Sequence, residues 1–183
     1  TKNGWLNYVR AMVTRYKDVV NEWEVWNEVN LNFATPEVYV PFLIMTSEAI
    51  KEVQPNAKII GFAFAHFPFE YAKKSFEILK AENKLDVIDY VTYHPYAINP
   101  DDSYPDYEKF NTLIHSYNPK LKLIQGENGC PAQLEYSFAL SKYPWTEISQ
   151  AKWAMRRLAG DKIRNIPSSY FCIIDLHYDI MQK

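Results

Sequence analysis

Two carboxylates, Glu28 and Glu127, stand at the ends of short apolar runs in distant parts of the chain, and amides flank both of them. Asn27 and Asn30 bracket Glu28, and Asn128 follows Glu127. Two carboxyl groups brought into one cleft can divide the work at a glycosidic bond. One protonates the departing oxygen while the other attacks the anomeric carbon or activates a water. The proton donor must keep its proton at the working pH, which a nearby negative group and an apolar wall promote. Trp23 or Trp26 could form that wall, and the sequence does not say which of them faces the site. The chemistry depends on whether the chain delivers both carboxylates to one place.

The periodicity says how it would. Leu6, Val9, Val13, Tyr16 and Val20 recur at spacings of three and four, which predicts a helix over residues 5–20. Apolar and polar residues then alternate over 22–28, which predicts a strand ending at Glu28. Thr35 and Pro36 open the next helix, with Glu37 at its positive end, and Pro55 closes it. The same alternation of strand and helix follows: a strand over 58–64, a helix over 70–82, a strand over 87–93 and a helix over 107–117. A strand over 122–125, a helix over 147–164 and a last strand over 169–176 complete the series. Strands separated by amphipathic helices predict a parallel sheet covered by those helices. No glycine-rich phosphate loop follows a strand, which counts against a dinucleotide fold. Polar residues at successive strand exits instead favour an α/β fold of the (β/α) barrel type, in which every exit opens onto one rim. Five strands are not a whole barrel, which takes about 250 residues. The expectation is a partial TIM (β/α)8 barrel over residues 1–183 with about its first third, strands one to three, absent.

Composition narrows the partners. Net charge is −2, from 20 basic and 22 acidic residues, so there is no electrostatic footprint for nucleic acid or an anionic membrane. No apolar run reaches transmembrane length. Aromatic residues make up 16% of the chain, and tryptophan and tyrosine near polar strand ends suit a surface that stacks sugars, although core packing would use them equally well. Cys130 and Cys172 match no metal spacing, and a disulfide between them stays open. The start, Thr1-Lys2-Asn3-Gly4-Trp5, has neither an initiator methionine nor a signal-peptide pattern, as expected of a mature product or an excised piece. Secretion or a periplasmic location would suit an enzyme of polysaccharides, but nothing in these residues encodes either.

Trp26-Asn27-Glu28 at one strand end, followed much later by Gly126-Glu127-Asn128 at another, resembles the retaining glycoside hydrolases of clan A. In those (β/α)8 barrels the acid/base follows strand four and the nucleophile follows strand seven. The resemblance implies Glu28 as acid/base, Asn27 as the residue holding the sugar 2-hydroxyl, and Glu127 as nucleophile. His94 and Tyr96 match the strand-six exit, where clan members place a histidine or tyrosine near the substrate or nucleophile. Trp-Asn-Glu-x-Asn is similar to the xylosidase and iduronidase-like family 39, and related families share it. The match runs from the third helix to the eighth strand of such a barrel, essentially the whole chain. Asp175 and His177 stand on the eighth strand where many members carry a tryptophan. The mechanism implied needs no metal or cofactor, and its partner is an oligosaccharide or polysaccharide.

Each residue also has a plainer role open to it. Glu28 could be a solvated strand-end carboxylate, Glu127 a turn residue between Gly126 and Gly129, and Asn27 a backbone partner. His94 could be packed ahead of Pro95, and Tyr96 could fill space rather than orient a carboxylate. His66 and His177 are rim candidates that could equally be structural. Asp175 could bond backbone, and Trp145, in the long loop after Glu127, could stack on a sugar or anchor the loop. An inverting hydrolase remains the near alternative. A catalytically inactive carbohydrate-binding barrel module is the distant one, because five strands would expose two sheet edges and leave the preorganised site unfinished. Another polypeptide segment or a second chain is therefore expected over those edges.

Overall fold

A computed structural model describes residues 1–31, 34–134, 139–141 and 143–174. Four parallel strands lie side by side in chain order: β1 (Glu22–Val25), β2 (Lys58–Ala65), β3 (Tyr90–His94) and β4 (Lys122–Gln125). Between and around them run α1 (Lys2–Tyr16), α2 (Pro36–Val53), α3 (Phe69–Ala81), α4 (Tyr104–Tyr117) and α5 (Glu147–Ile163). Sequential parallel pairing through crossover helices is the construction of a (β/α) barrel, and four strands form an arc of one.

The core lies between the outer face of the sheet and the helices. Val25, Ile59, Phe64, Val91 and Leu123 from the strands meet Val40, Leu43, Ala72, Phe76, Leu79, Phe110 and Ile114 from the helices. Alternation sends the intervening residues to the concave face, where Thr92 on β3 donates a short hydrogen bond to Glu24 on β1. This polar bridge across the inside of the arc lies beneath the strand exits.

The boundaries differ from the sequence expectation at five points. The first helix runs over Lys2–Tyr16 rather than 5–20: the Thr1 side chain caps it by accepting the Gly4 N–H at 3.2 Å, and the chain turns after Tyr16, which leaves Val20 outside it. The first strand stops at Val25 rather than running to Glu28, because Trp26 and Glu28 take φ values of 74° and 47°, outside the extended region. The third begins at Tyr90 rather than residue 87. Asp89 serves as its entry, its carboxylate accepting the Ile59 N–H at 3.0 Å and pairing with Lys58. The fourth helix starts at Tyr104, ahead of residue 107, after a 3-10 turn (Pro100–Ser103) that Asn99 caps. The expected fifth strand is a single bridge between Gln125 and Ser168 among the described residues. Pro167 brings no N–H to a ladder, and the Ser169 N–H is shared by the backbone and side-chain oxygens of Gln125 at 3.0 and 2.8 Å. Asp175 and His177 lie outside the described residues.

β2 carries an irregularity with consequences for the rim. Its register against β3 slips between Gly61 and Phe64, and Phe62 and Ala63 take φ values of 80° and 41°. The extra residue leaves the Phe62 N–H off the ladder, and Tyr39 of α2 takes it up. The Tyr39 hydroxyl accepts from Phe62 N–H at 2.9 Å and donates to the Val25 carbonyl at 2.8 Å. Tyr39→Phe strands both groups in a buried place and is expected to cost about 1–3 kcal/mol in urea unfolding. Burial holds the Tyr39 phenol above its ordinary value of 10.0. The folded state therefore keeps a proton that the unfolded chain releases near pH 10, so stability present below that pH is lost as pH rises above it. Removing Tyr39 should flatten this alkaline fall by about 1.4 kcal/mol per pH unit, the contribution of one proton.

Candidate active site

The carboxylates leave the first and last strands of the arc and meet over the middle of it. The Glu28 segment is fastened to β2 by two devices. Its N–H donates to the Ala63 carbonyl at 2.8 Å, on the bulge. Two residues on, Asn30 treats Ala65 as a strand partner, accepting its N–H at 2.9 Å and donating to its carbonyl at 3.0 Å. These bonds over-determine a turn in which Glu28 has a positive φ, an arrangement that costs energy and collects at functional sites.

His94 closes β3 with its ring 2% exposed, between the two carboxylates. Its Nδ1 lies 3.0 Å from Glu28 Oε1 and 3.9 Å from Glu127 Oε2. When Glu28 is ionised, Nδ1 carries the proton and donates to it; when Glu28 is protonated, the same contact can run the other way. Gly126 makes room for the Thr92 side chain below the ring. A Cβ there would fall 3.0 Å from Thr92 Cβ, tight enough to shift that side chain, and 3.5 Å from His94 Nε2, an ordinary contact. Tyr96 follows the strand and donates its hydroxyl to Glu127 Oε1 at 2.7 Å. Burial, and then the hydrogen bond to the Glu127 carboxylate, push the Tyr96 phenol above its ordinary range, which keeps it a donor. Glu28 and Glu127 remain partly open, with side chains 23% and 26% exposed. One donor atom each from Glu28, His94 and Glu127 lies within 4.8 Å of the others. Two carboxylates and an imidazole are also the donor types of a cation site.

The remaining sequence candidates sit as follows. Asn27 is exposed beside Glu28. His66 is exposed at the end of β2, and its N–H donates to the His94 carbonyl at 3.1 Å, so its backbone steadies the histidine. The Trp26 ring packs against Trp5 of α1 and Phe42 of α2, at centroid distances of 6.2 and 5.7 Å. It therefore belongs to the helical side of the β1 exit. Trp145 is buried with Cys130 and Trp153, donates to the Leu140 carbonyl at 2.8 Å and lies against Tyr143; it anchors the loop after Glu127. Cys130 and Cys172 are both free thiols. Sequence reasoning missed Tyr39 and the strand-like grip of Asn30. The signal for Asn30 was its place two residues beyond Glu28, but its target, the end of β2, is a tertiary fact.

No protein-family model matches the chain, and no curated protein sequence does. Solved structures do. A glucosidase from Croceicoccus marinus superposes with a TM-score of 0.75 at 13% identity, over 93% of this chain and 38% of that one. A GH39 β-xylosidase from Caulobacter crescentus gives 0.69 at 21% identity over the same shares. A family 44 xyloglucanase from Paenibacillus polymyxa gives 0.65 at 13% identity, over 93% of this chain and 46% of that one. The chain has part of a (β/α)8 barrel fold shared by glycoside hydrolases of several families. That likeness is broader than family 39. The chain spans less than half the length of each of these three proteins.

Proposed function

We propose that this chain carries the catalytic face of a retaining β-glycoside hydrolase. The observation that carries the reading is the convergence of Glu28 and Glu127 on His94, with donor atoms of all three within 4.8 Å of one another. Carboxyl groups about 5–5.5 Å apart suit direct attack on the anomeric carbon, whereas inverting enzymes leave about 6.5–9.5 Å for a water. The close approach supports the first arrangement. Glu127 is the nucleophile: Tyr96 orients its Oε1, and the other oxygen is available to carbon. Glu28 is the acid/base, with His94 as its partner in holding and returning a proton. In the first step the Glu127 oxygen bonds to the anomeric carbon as the glycosidic bond breaks, and the leaving oxygen takes the Glu28 proton. In the second, Glu28 removes a proton from water, which displaces Glu127 and restores both carboxyl groups.

Asn27 stands beside Glu28 at the open rim and is the proposed partner of the sugar 2-hydroxyl. The edge of β1, unpaired among the described residues, and the concave wall around Glu24 and Thr92 call for the remaining barrel strands, from another segment or another chain. The deciding experiment follows an aryl β-glycoside by proton NMR during the first turnovers. Release of the β-anomer before mutarotation is expected. Initial release of the α-anomer would overturn the retaining assignment, and saturable binding without turnover would replace the enzyme with a carbohydrate-binding module.

A further inference from the structure

We infer that one face of α5, formed by Gln150, Trp153 and Arg157, sets the contact between Tyr96 and Glu127 and so acts as a positioning element for the site. The three residues follow one another at i, i+3 and i+7, which places them in a row along the helix. Each grips a different piece of the two loops that carry the pair. Gln150 donates to the Cys130 carbonyl at 2.8 Å, three residues beyond Glu127. Trp153 donates its indole N–H to the Ala97 carbonyl at 3.0 Å, immediately after Tyr96. Arg157 donates to the Pro95 carbonyl at 3.3 Å, immediately before Tyr96, and to Ser103 Oγ at 2.9 Å, where the loop ends. Tyr96 is thus held on both sides by two successive turns of the helix whose preceding turn holds the Glu127 loop.

The energetics favour a geometric role. Arg157 is 2% exposed and pairs with Asp161, which is fully buried, and Tyr104 donates to Asp161 Oδ1 at 3.1 Å. Burying an ion pair costs desolvation that its attraction barely offsets, so such a pair is a poor means of adding stability. Its fixed fork is well suited to holding a carbonyl in one place. The outer contact of the same helix, Arg156 with Asp101, is exposed and contributes little. Among the described residues no α5 side chain hydrogen-bonds to Glu28, Glu127 or His94, so their influence passes through Tyr96 and the loop backbone.

The catalytic meaning of this contact rests on the hydrolase reading; the contact itself does not. The test therefore has two readouts. Trp153→Phe keeps most of the ring and removes the indole donor; Gln150→Leu removes the amide from a partly exposed position. With tyrosines labelled at the ring carbon bearing the hydroxyl, the Tyr96 resonance is assigned by its loss in Tyr96→Phe. Both variants should melt cooperatively and move that resonance toward the position of a solvent-exposed tyrosine. With an aryl glycoside, each should lower kcat about ten- to a hundredfold with little change in KM, the scale expected for a small misplacement. In the Tyr96→Phe background the same substitutions should cost little more. An unmoved Tyr96 resonance in both variants, or losses that multiply independently of Tyr96→Phe, overturns the inference. Absence of turnover in the unaltered chain would sink the hydrolase reading, and the resonance would still decide this one.

Discussion

Glu127→Gln is expected to lower kcat/KM on an aryl β-glycoside by at least about 10⁴-fold, the effect of deleting a nucleophile whose neighbours remain. The substitution keeps the shape of the side chain, and its amide oxygen can still accept from the Tyr96 hydroxyl, so the melting temperature should hardly move. The amide cannot form the acyl-type bond to carbon. Glu127→Gly sharpens the test, because it opens the space a small anion needs. Azide added to that variant should attack the anomeric carbon from the vacated side and give the α-glycosyl azide. An enzyme in which Glu127 merely steadied a loop would lose stability along with activity, and azide would restore nothing.

Glu28→Gln should separate substrates by their leaving groups. A poor leaving group needs the proton, so kcat/KM on an alkyl or unsubstituted phenyl glycoside should fall about 10²–10⁴-fold. Dinitrophenolate departs without protonation, and its first step should stay within about tenfold of the parent. The second step still lacks its base, so a burst of dinitrophenolate followed by slow turnover is expected. Azide needs no base and should relieve that block, giving the β-glycosyl azide. The opposite azide products from the two positions would assign the two roles to Glu28 and Glu127. Equal losses on all leaving groups would leave Glu28 without an acid/base function.

The regular part of the fold was legible because its cause is local. Amphipathic period and turn residues name each helix and the strands at 58 and 122, and parallel strand exits must share a rim. That is how Glu28, His94, Tyr96 and Glu127 can be expected near one another from the sequence. What escaped depends on partners far along the chain. Trp26 sits one residue from Asn27, yet its positive φ turns the backbone and its ring joins Trp5 and Phe42 on the helical side. Trp145 could stack on a sugar or anchor its loop, and burial against Cys130 and Trp153 makes it the anchor. The bulge at Phe62 and Ala63 follows Gly61, a glycine inside a strand of the kind that marks such a site, but its partner Tyr39 comes from the preceding helix. Among the described residues the last strand is one bridge, whose two ladder bonds join Gln125 to Pro167 and Ser169.

The grip of Asn30 on Ala65 also fixes the clock on which the candidate acid/base is exposed to local opening. Glu28 lies on a surface turn, where fraying is ordinarily fast. Its amide, however, is bonded to the bulge of β2, and two further bonds from Asn30 close the same strand end just beyond it. Releasing the Glu28 amide to solvent therefore means parting the turn from a central strand, at three bonds together. Hydrogen exchange at Glu28 should follow the slow amides of β2 rather than the fast ones of exposed turns. The backbone that carries the carboxylate is then held as steadily as the sheet itself.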